Sequence, residues 1–318
     1  MATYLGTNGG RIQTYTTDPD NPNTGEVWYN ETANTIKIEA VTSAGAWATG
    51  GSLNTARYAL GGAGIQTAAL GFAGDPPPSA VTNKTESYNG SSWTEVNDMN
   101  SARVLYNGNA GTQTSALAFG GPGVAVTELW NGTNWTEVND MSIAKNRAGV
   151  GVDNTAALAI SGGNPSTTAS VETWNGTNWT EINDVNTARV QAAAAGTNTA
   201  AVAFGGGSST ALTESFNGTN WTEVNNLNTG RYGLGGCGVY TLALAFGGGF
   251  PDKANVEEWN GTNWTETTDL ATARRSLAGA LTAPQASALA FGGGPPVQSA
   301  TEEWSGAGSP VVKTIDTD

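Results

Sequence analysis

Asn131-Gly132-Thr133-Asn134-Trp135 is the stretch on which the fold turns: it returns unchanged at 175–179, 217–221 and 260–264, and Asn89-Gly90 heads a variant before Trp93. Asn-Gly between apolar residues is the strongest short hairpin signal, because both residues tolerate the positive φ of a tight turn. An aromatic precedes each turn (Tyr88, Trp130, Trp174, Phe216, Trp259) and a tryptophan closes it (Trp93, Trp135, Trp179, Trp221, Trp264). The flanking segments are therefore expected to be antiparallel strand pairs.

Outward from these turns an internal repeat organises the chain. Trp47, Trp93, Trp135, Trp179, Trp221 and Trp264 recur at intervals of 46, 42, 44, 42 and 43 residues. Ten residues after each stands a basic side chain: Arg57, Arg103, Lys145, Arg189, Arg231 and Arg274. Seven before the last five tryptophans stands a glutamate (Glu86, Glu128, Glu172, Glu214, Glu257), and Glu302 continues the series. Between base and glutamate runs an apolar segment with a glycine exit, at 67–74, 115–121, 156–163, 200–207, 242–249 and 287–294. These six segments define six units, each read as four short strands. Small residues before the apolar segment suit strands converging on a crowded axis, and tryptophans suit wider outer strands where sheets pack together.

Gly-Gly closing the second strand, an aromatic in the third, tryptophan in the fourth and arginine ten residues later resemble kelch-type β-propellers across about residues 45–310. The resemblance implies an all-β fold: a six-bladed kelch-like propeller of four-stranded antiparallel blades over 45–318, preceded by a small N-terminal β arm over 1–44. A propeller must close its ring. The 45–51 segment around Trp47 can supply the fourth strand of the blade begun at Arg274, and 311–315 is the competing strand.

The 318 residues can bury a sizeable core. They include no histidine, one cysteine (Cys237), and 13 Lys and Arg against 27 Asp and Glu, for a net charge of -14. So acidic a chain is repelled by phosphate backbones, which argues against nucleic acid as a partner. Lack of histidine removes the commonest metal ligand and the usual base of a nucleophilic triad, so neither metal, cofactor nor enzymatic activity is expected. Gly205-Gly206-Gly207 is not followed by Lys-Ser/Thr and is no phosphate cradle, and Cys237, flanked by glycines, reads as a small buried side chain. No apolar run approaches the roughly 20 residues of a membrane span, and no leader pattern opens the chain, so neither membrane insertion nor export by a signal peptide is expected.

The repeated acids and arginines occupy the same position in every unit, which marks them as architecture. Variation lies instead in the segments after each Gly-Gly: 75–85, 122–127, 164–170, 208–213, 250–255 and 295–300. In a propeller all six share one face, where loops diverge without disturbing the blades and prolines lower the entropic cost of binding. Asp75, Pro77, Lys84, Pro122, Asn164, Ser208, Phe250, Asp252 and Pro295 are the candidate partner-binding residues.

Residues 1–44 are different. A turn-dense 18–25 precedes Glu26-Val27-Trp28-Tyr29-Asn30 and Thr35-Ile36-Lys37-Ile38, read as a hairpin too small to bury its own core. This stretch and its run into the propeller resemble segments of bacteriophage virion and tail-fibre proteins. The resemblance implies a non-enzymatic virion structural protein, a decoration, fibre or receptor-binding module assembled in the host cytoplasm and displayed on the extracellular particle surface. Trp28, Tyr29, Ile36 and Ile38 would form its assembly arm against other virion proteins or a second copy, and the divergent loops would contact a host-surface glycan or receptor. The rival expectations are a propeller lectin outside a virion and a kelch scaffold for protein partners.

Overall fold

A computed structural model of the chain describes residues 12–19, 26–41, 44–163, 166–308 and 310–315. Among them there is no helix, and 28 strands form seven four-stranded sheets. The chain divides into two compact units, one from residues 1–45 with 306–318 and the other Ala46–Ser305.

The first unit is one sheet. β1 (Gln13–Tyr15) pairs in parallel with β2 (Val27–Asn30), β2 pairs antiparallel with β3 (Thr35–Val41), and β3 pairs antiparallel with the C-terminal strand Pro310–Ile315. Asp18 ties the segment after β1 to this sheet: it accepts hydrogen bonds from Trp28 Nε1 (3.1 Å), Asn30 Nδ2 (2.6 Å) and Lys37 Nζ (2.8 Å). Residues 20–25 of the turn-dense stretch lie outside the described residues.

The second unit holds six antiparallel sheets in chain order. After β4 (Ala46–Gly50), the first comprises β5 (Gly61–Ile65), β6 (Ala68–Phe72), β7 (Thr85–Tyr88) and β8 (Trp93–Val96). The second comprises β9 (Asn109–Gly111), β10 (Ala116–Phe119), β11 (Thr127–Trp130) and β12 (Trp135–Val138). The third has the longer strands β13 (Asn146–Asp153), β14 (Ala156–Gly163) and β15 (Thr167–Trp174), with β16 (Trp179–Ile182). β17 (Ala193–Gly196), β18 (Ala201–Phe204), β19 (Thr213–Phe216) and β20 (Trp221–Val224) make the fourth. β21 (Gly235–Val239), β22 (Leu242–Phe246), β23 (Val256–Trp259) and β24 (Trp264–Glu266) make the fifth. In the sixth, β25 (Ala278–Gly279), β26 (Leu289–Phe291) and β27 (Thr301–Ser305) are completed by β4. The innermost strands touch in succession, and β25 touches β5, so the ring closes.

Local chemistry explains each sheet. Asn131 Oδ1 accepts the backbone N–H groups of Thr133 and Asn134, both at 2.9 Å, and pins the β11–β12 turn, with the same pair of bonds at Asn175, Asn217 and Asn260. Side chains then lock sheet to sheet. Phe119 of β10 meets Trp179 of the next sheet edge-on at 4.9 Å, Phe72–Trp135, Phe204–Trp264 and Phe246–Trp47 repeat this contact, and Phe291–Trp93 makes it with the rings tilted. In the third sheet Ile160 replaces the phenylalanine and packs in one cluster with Trp221.

The Gly-Gly exit is a second lock. The N–H of Gly74, Gly121, Gly162, Gly206, Gly248 and Gly293 donates to the carbonyl of the repeated basic residue one unit on: Arg103, Lys145, Arg189, Arg231, Arg274 and Arg57. A Cβ at Gly292 would lie 2.7 Å from the Arg57 carbonyl oxygen, which is why the first glycine of that pair carries no side chain.

The structure chooses between the two strands offered for ring closure and corrects the arm. Ring closure falls to β4, whose Trp47 is the register partner of Trp304, while 311–315 belongs to the last strand, β28 (Pro310–Ile315), in the first unit. The expected hairpin arm is consequently a four-stranded sheet that also recruits residues assigned from sequence to the propeller. Seven four-stranded sheets stand where six blades and a hairpin were expected. The physical reason is that an isolated hairpin buries too little, and a C-terminal strand rich in Val and Ile supplies the missing pairing.

Candidate functional site

A well of about 500 Å³ opens on the face that carries the divergent loops. Its wall comes from the residues just after the repeated arginines: Tyr58 after Arg57, Tyr106 after Arg103, Gln191 after Arg189, Tyr232 after Arg231, and Arg275 and Ser276 after Arg274. Ser79 and Pro295 of the loops complete it.

The buried arginines aim these residues. Arg57–Glu86 (3.0 Å), Arg103–Glu128 (2.5 Å), Arg189–Glu214 (2.6 Å), Arg231–Glu257 (3.0 Å) and Arg274–Glu302 (3.0 Å) are buried ion pairs within single sheets. Burial pulls the guanidinium pKa of Arg57, Arg189, Arg231 and Arg274 down, and the paired glutamate opposes this. Each glutamate also accepts a backbone amide from the linker entering its unit, such as Asn228 N on Glu257 at 2.7 Å and Asn186 N on Glu214 at 2.6 Å. Lys145 departs from this pattern, its Nζ reaching the Ser166 carbonyl at 2.5 Å.

Two residues beyond four of these arginines the backbone turns left-handed, at Ala59 (φ 53), Gln191 (φ 51), Gly233 (φ 62) and Ser276 (φ 51). Each of three such N–H groups donates to the equivalent carbonyl of the preceding unit: Gly233 to Gln191 (2.9 Å), Ser276 to Gly233 (2.6 Å) and Ala59 to Ser276 (2.7 Å). These backbone bonds along the rim hold the non-glycine residues Ala59, Gln191 and Ser276 in a conformation they rarely adopt. Below it the well ends. Asn107 of the second unit spans the ring there, its Nδ2 donating to the Leu234 carbonyl of the fifth unit at 3.0 Å.

Polar contacts set the wall's chemistry. The Tyr58 hydroxyl donates to Asp75 Oδ2 at 2.9 Å, and this bond pushes the phenol pKa up. Burial, then Asp75, pushes Tyr106 up as well, so both phenols stay protonated donors at neutral pH. Arg275 donates from Nη1 to Asp252 at 2.5 Å and lies 5.2 Å over the ring of Phe250, which is 72% exposed. Asp75 Oδ1 is buried without a hydrogen-bond partner.

Of the residues anticipated from sequence, Pro295 lines the well, Asp75 braces its wall through Tyr58, and Phe250 and Asp252 hold Arg275. Pro77 is exposed in the loop that supplies Ser79. Lys84 is not brought in: its amine pairs with Glu95 on the outer strand. Pro122 and Ser208 lie on exposed turns outside the lining, and Asn164 is outside the described residues. Sequence reasoning missed Tyr58, Tyr106, Gln191, Tyr232 and Arg275. Their signal was the stretch one to three residues after each repeated arginine, which varies between units although the arginine does not.

In the arm, Trp28 is wholly buried and offers no surface, Tyr29 donates its hydroxyl to Asn34, and Ile36 and Ile38 are half-buried. Among the described residues its exposed large apolar side chains are Tyr15, Val312 and Ile315 on the two outer strands and Ile12 just before the first of them. Among the described residues no group of His, Cys, Asp and Glu is placed to hold a metal ion. Comparison with protein-family models and with curated proteins finds no match.

Proposed function

We propose that this chain is a non-enzymatic, kelch-type propeller that serves as a virion structural protein, anchored by its arm and presenting the well to a host-surface glycan. One observation carries this reading. Ala46 and Ser305 are register partners at the end of the sixth sheet where the other sheets make their Asn turns, and the well opens at the opposite end of the ring. Both covalent connections to the first unit thus leave from one end of the propeller, and the recognition surface is at the other. Chain connections at one end of the ring and a well at the other suit a display module. The outer strands of the arm, with Ile12, Tyr15, Val312 and Ile315 exposed, suit β-pairing with particle neighbours.

Peptide mass spectrometry across a density gradient of the native source tests the virion reading. The chain is expected to travel with nucleic-acid-containing particles and to stay with them in high salt. Recovery only as free protein defeats the virion assignment and leaves a free-standing lectin or a protein-binding scaffold.

A further inference from the structure

We infer that the well takes an uncharged, hydroxyl-rich sugar end-on and discriminates against acidic sugars. This rests on the glycan reading above and goes beyond it by naming the ligand's charge and its mode of entry.

Charge decides the first part. Arg275 is the one cation among the residues lining the well, and its guanidinium is already engaged by Asp252 at 2.5 Å. Asp75 adds a second carboxylate behind the wall, receiving one hydrogen bond, from Tyr58, while its other oxygen is buried with no donor. Two carboxylates against one guanidinium leave a negative excess, so a sialic acid, uronic acid or sulfated sugar meets repulsion where it would need an unpaired base. The remaining groups are neutral: the phenols of Tyr58, Tyr106 and Tyr232, the Gln191 amide, and the hydroxyls of Ser79 and Ser276. They match a ligand that presents hydroxyls at its edge and C–H groups on its face. The Arg275–Asp252 pair sets a donor beside an acceptor, the pattern two adjacent hydroxyls need, and Phe250 under the guanidinium fixes that fork in place.

Shape decides the second part. The volume of about 500 Å³ is that of a small-molecule site. The floor beneath it, where the Asn107 side chain of the second unit bonds the Leu234 carbonyl of the fifth, bars a chain from passing through the ring. A glycan therefore enters by a terminus.

The test is a glycan array carrying neutral, sialylated, uronic-acid and sulfated glycans, probed with the full chain displayed multivalently on beads. Variants Tyr232→Ala and Arg275→Gln are probed alongside, after circular dichroism and melting show them folded. Retention of neutral glycans, with a loss of roughly tenfold or more in both variants, is the expected result. Preference for acidic glycans overturns the inference and leaves the glycan reading standing. Neutral binding that neither variant weakens also overturns it, by removing the well as the site. Failure to retain any glycan defeats the glycan reading itself.

Discussion

The indole N–H of Trp264 donates to the hydroxyl of Thr213 at 3.1 Å, across the boundary between the fifth sheet and the fourth. Trp93–Thr301, Trp135–Thr85 and Trp179–Thr127 repeat this bond at 3.0, 3.0 and 2.9 Å. In the third sheet the equivalent position is Val171, and the Trp221 indole nitrogen is buried with no partner. Val171→Thr restores an acceptor at nearly constant volume and is expected to stabilise the protein by about 1 kcal/mol, read as a rise in the denaturant midpoint. Thr213→Val should do the reverse, costing about 1–3 kcal/mol by orphaning Trp264. A lower midpoint for Val171→Thr would show that the indole does not reach the new hydroxyl.

Arg231 and Glu257 are both fully buried and 3.0 Å apart. Breaking such a pair typically costs about 3–5 kcal/mol, because a lone charge stays in the interior. Glu257 also accepts from Asn228 N, Asn228 Nδ2 and Thr229 N. Glu257→Leu therefore strands four donors and is expected to be worse than Arg231→Met, which leaves the carboxylate three. The double variant should cost less than the two single losses added together. Urea titration of the four proteins measures this, and strict additivity would argue against the pair acting as a unit.

Hydrogen bonds from Lys37, Asn30 and Trp28 hold the Asp18 carboxyl pKa down, at about 2 against its ordinary 3.8. Depression in the folded state means that its stabilising contribution is present above the ordinary value and fades as pH falls from about 4 to about 2. Amide hydrogen exchange in peptides spanning 26–38 should accelerate across this window. Asp18→Asn is expected to exchange faster at neutral pH and to lose the acid step.

Cys237 is fully buried on β21, and burial pushes its thiol pKa up to about 12. A thiol reagent at pH 8 is expected to modify it only as fast as the protein unfolds. Rapid labelling of native protein would mean that the first strand of the fifth sheet opens locally.

The strand pairs were legible in sequence because their causes are local. Asn131 pins its own turn, Trp130 and Trp135 are partners on the two strands that turn joins, and five of the repeated glutamates return to the arginine of their own unit. The exposed loops were legible as a face for the same reason, since every Gly-Gly exit leads to the same end of its sheet. Lys84 was misjudged because its loop position said nothing of Glu95, its partner on an outer strand. Trp28 was misjudged as a docking residue because Asp18, which holds its indole, comes from a turn with no strand pattern of its own.

By itself, then, the amino-acid sequence determined the repeat, the four-stranded unit and the architectural role of the repeated acids and arginines, each being a short-range relation stamped several times over. Only the tertiary structure decided that Trp47 rather than 311–315 closes the ring, that β28 crosses to β3, and that Tyr58, Tyr106, Tyr232 and Arg275 converge on one blind well. Those relations join single residues from distant units, and a contact made once leaves no period to read. It is settled by which strands and side chains bury most together when the ring closes.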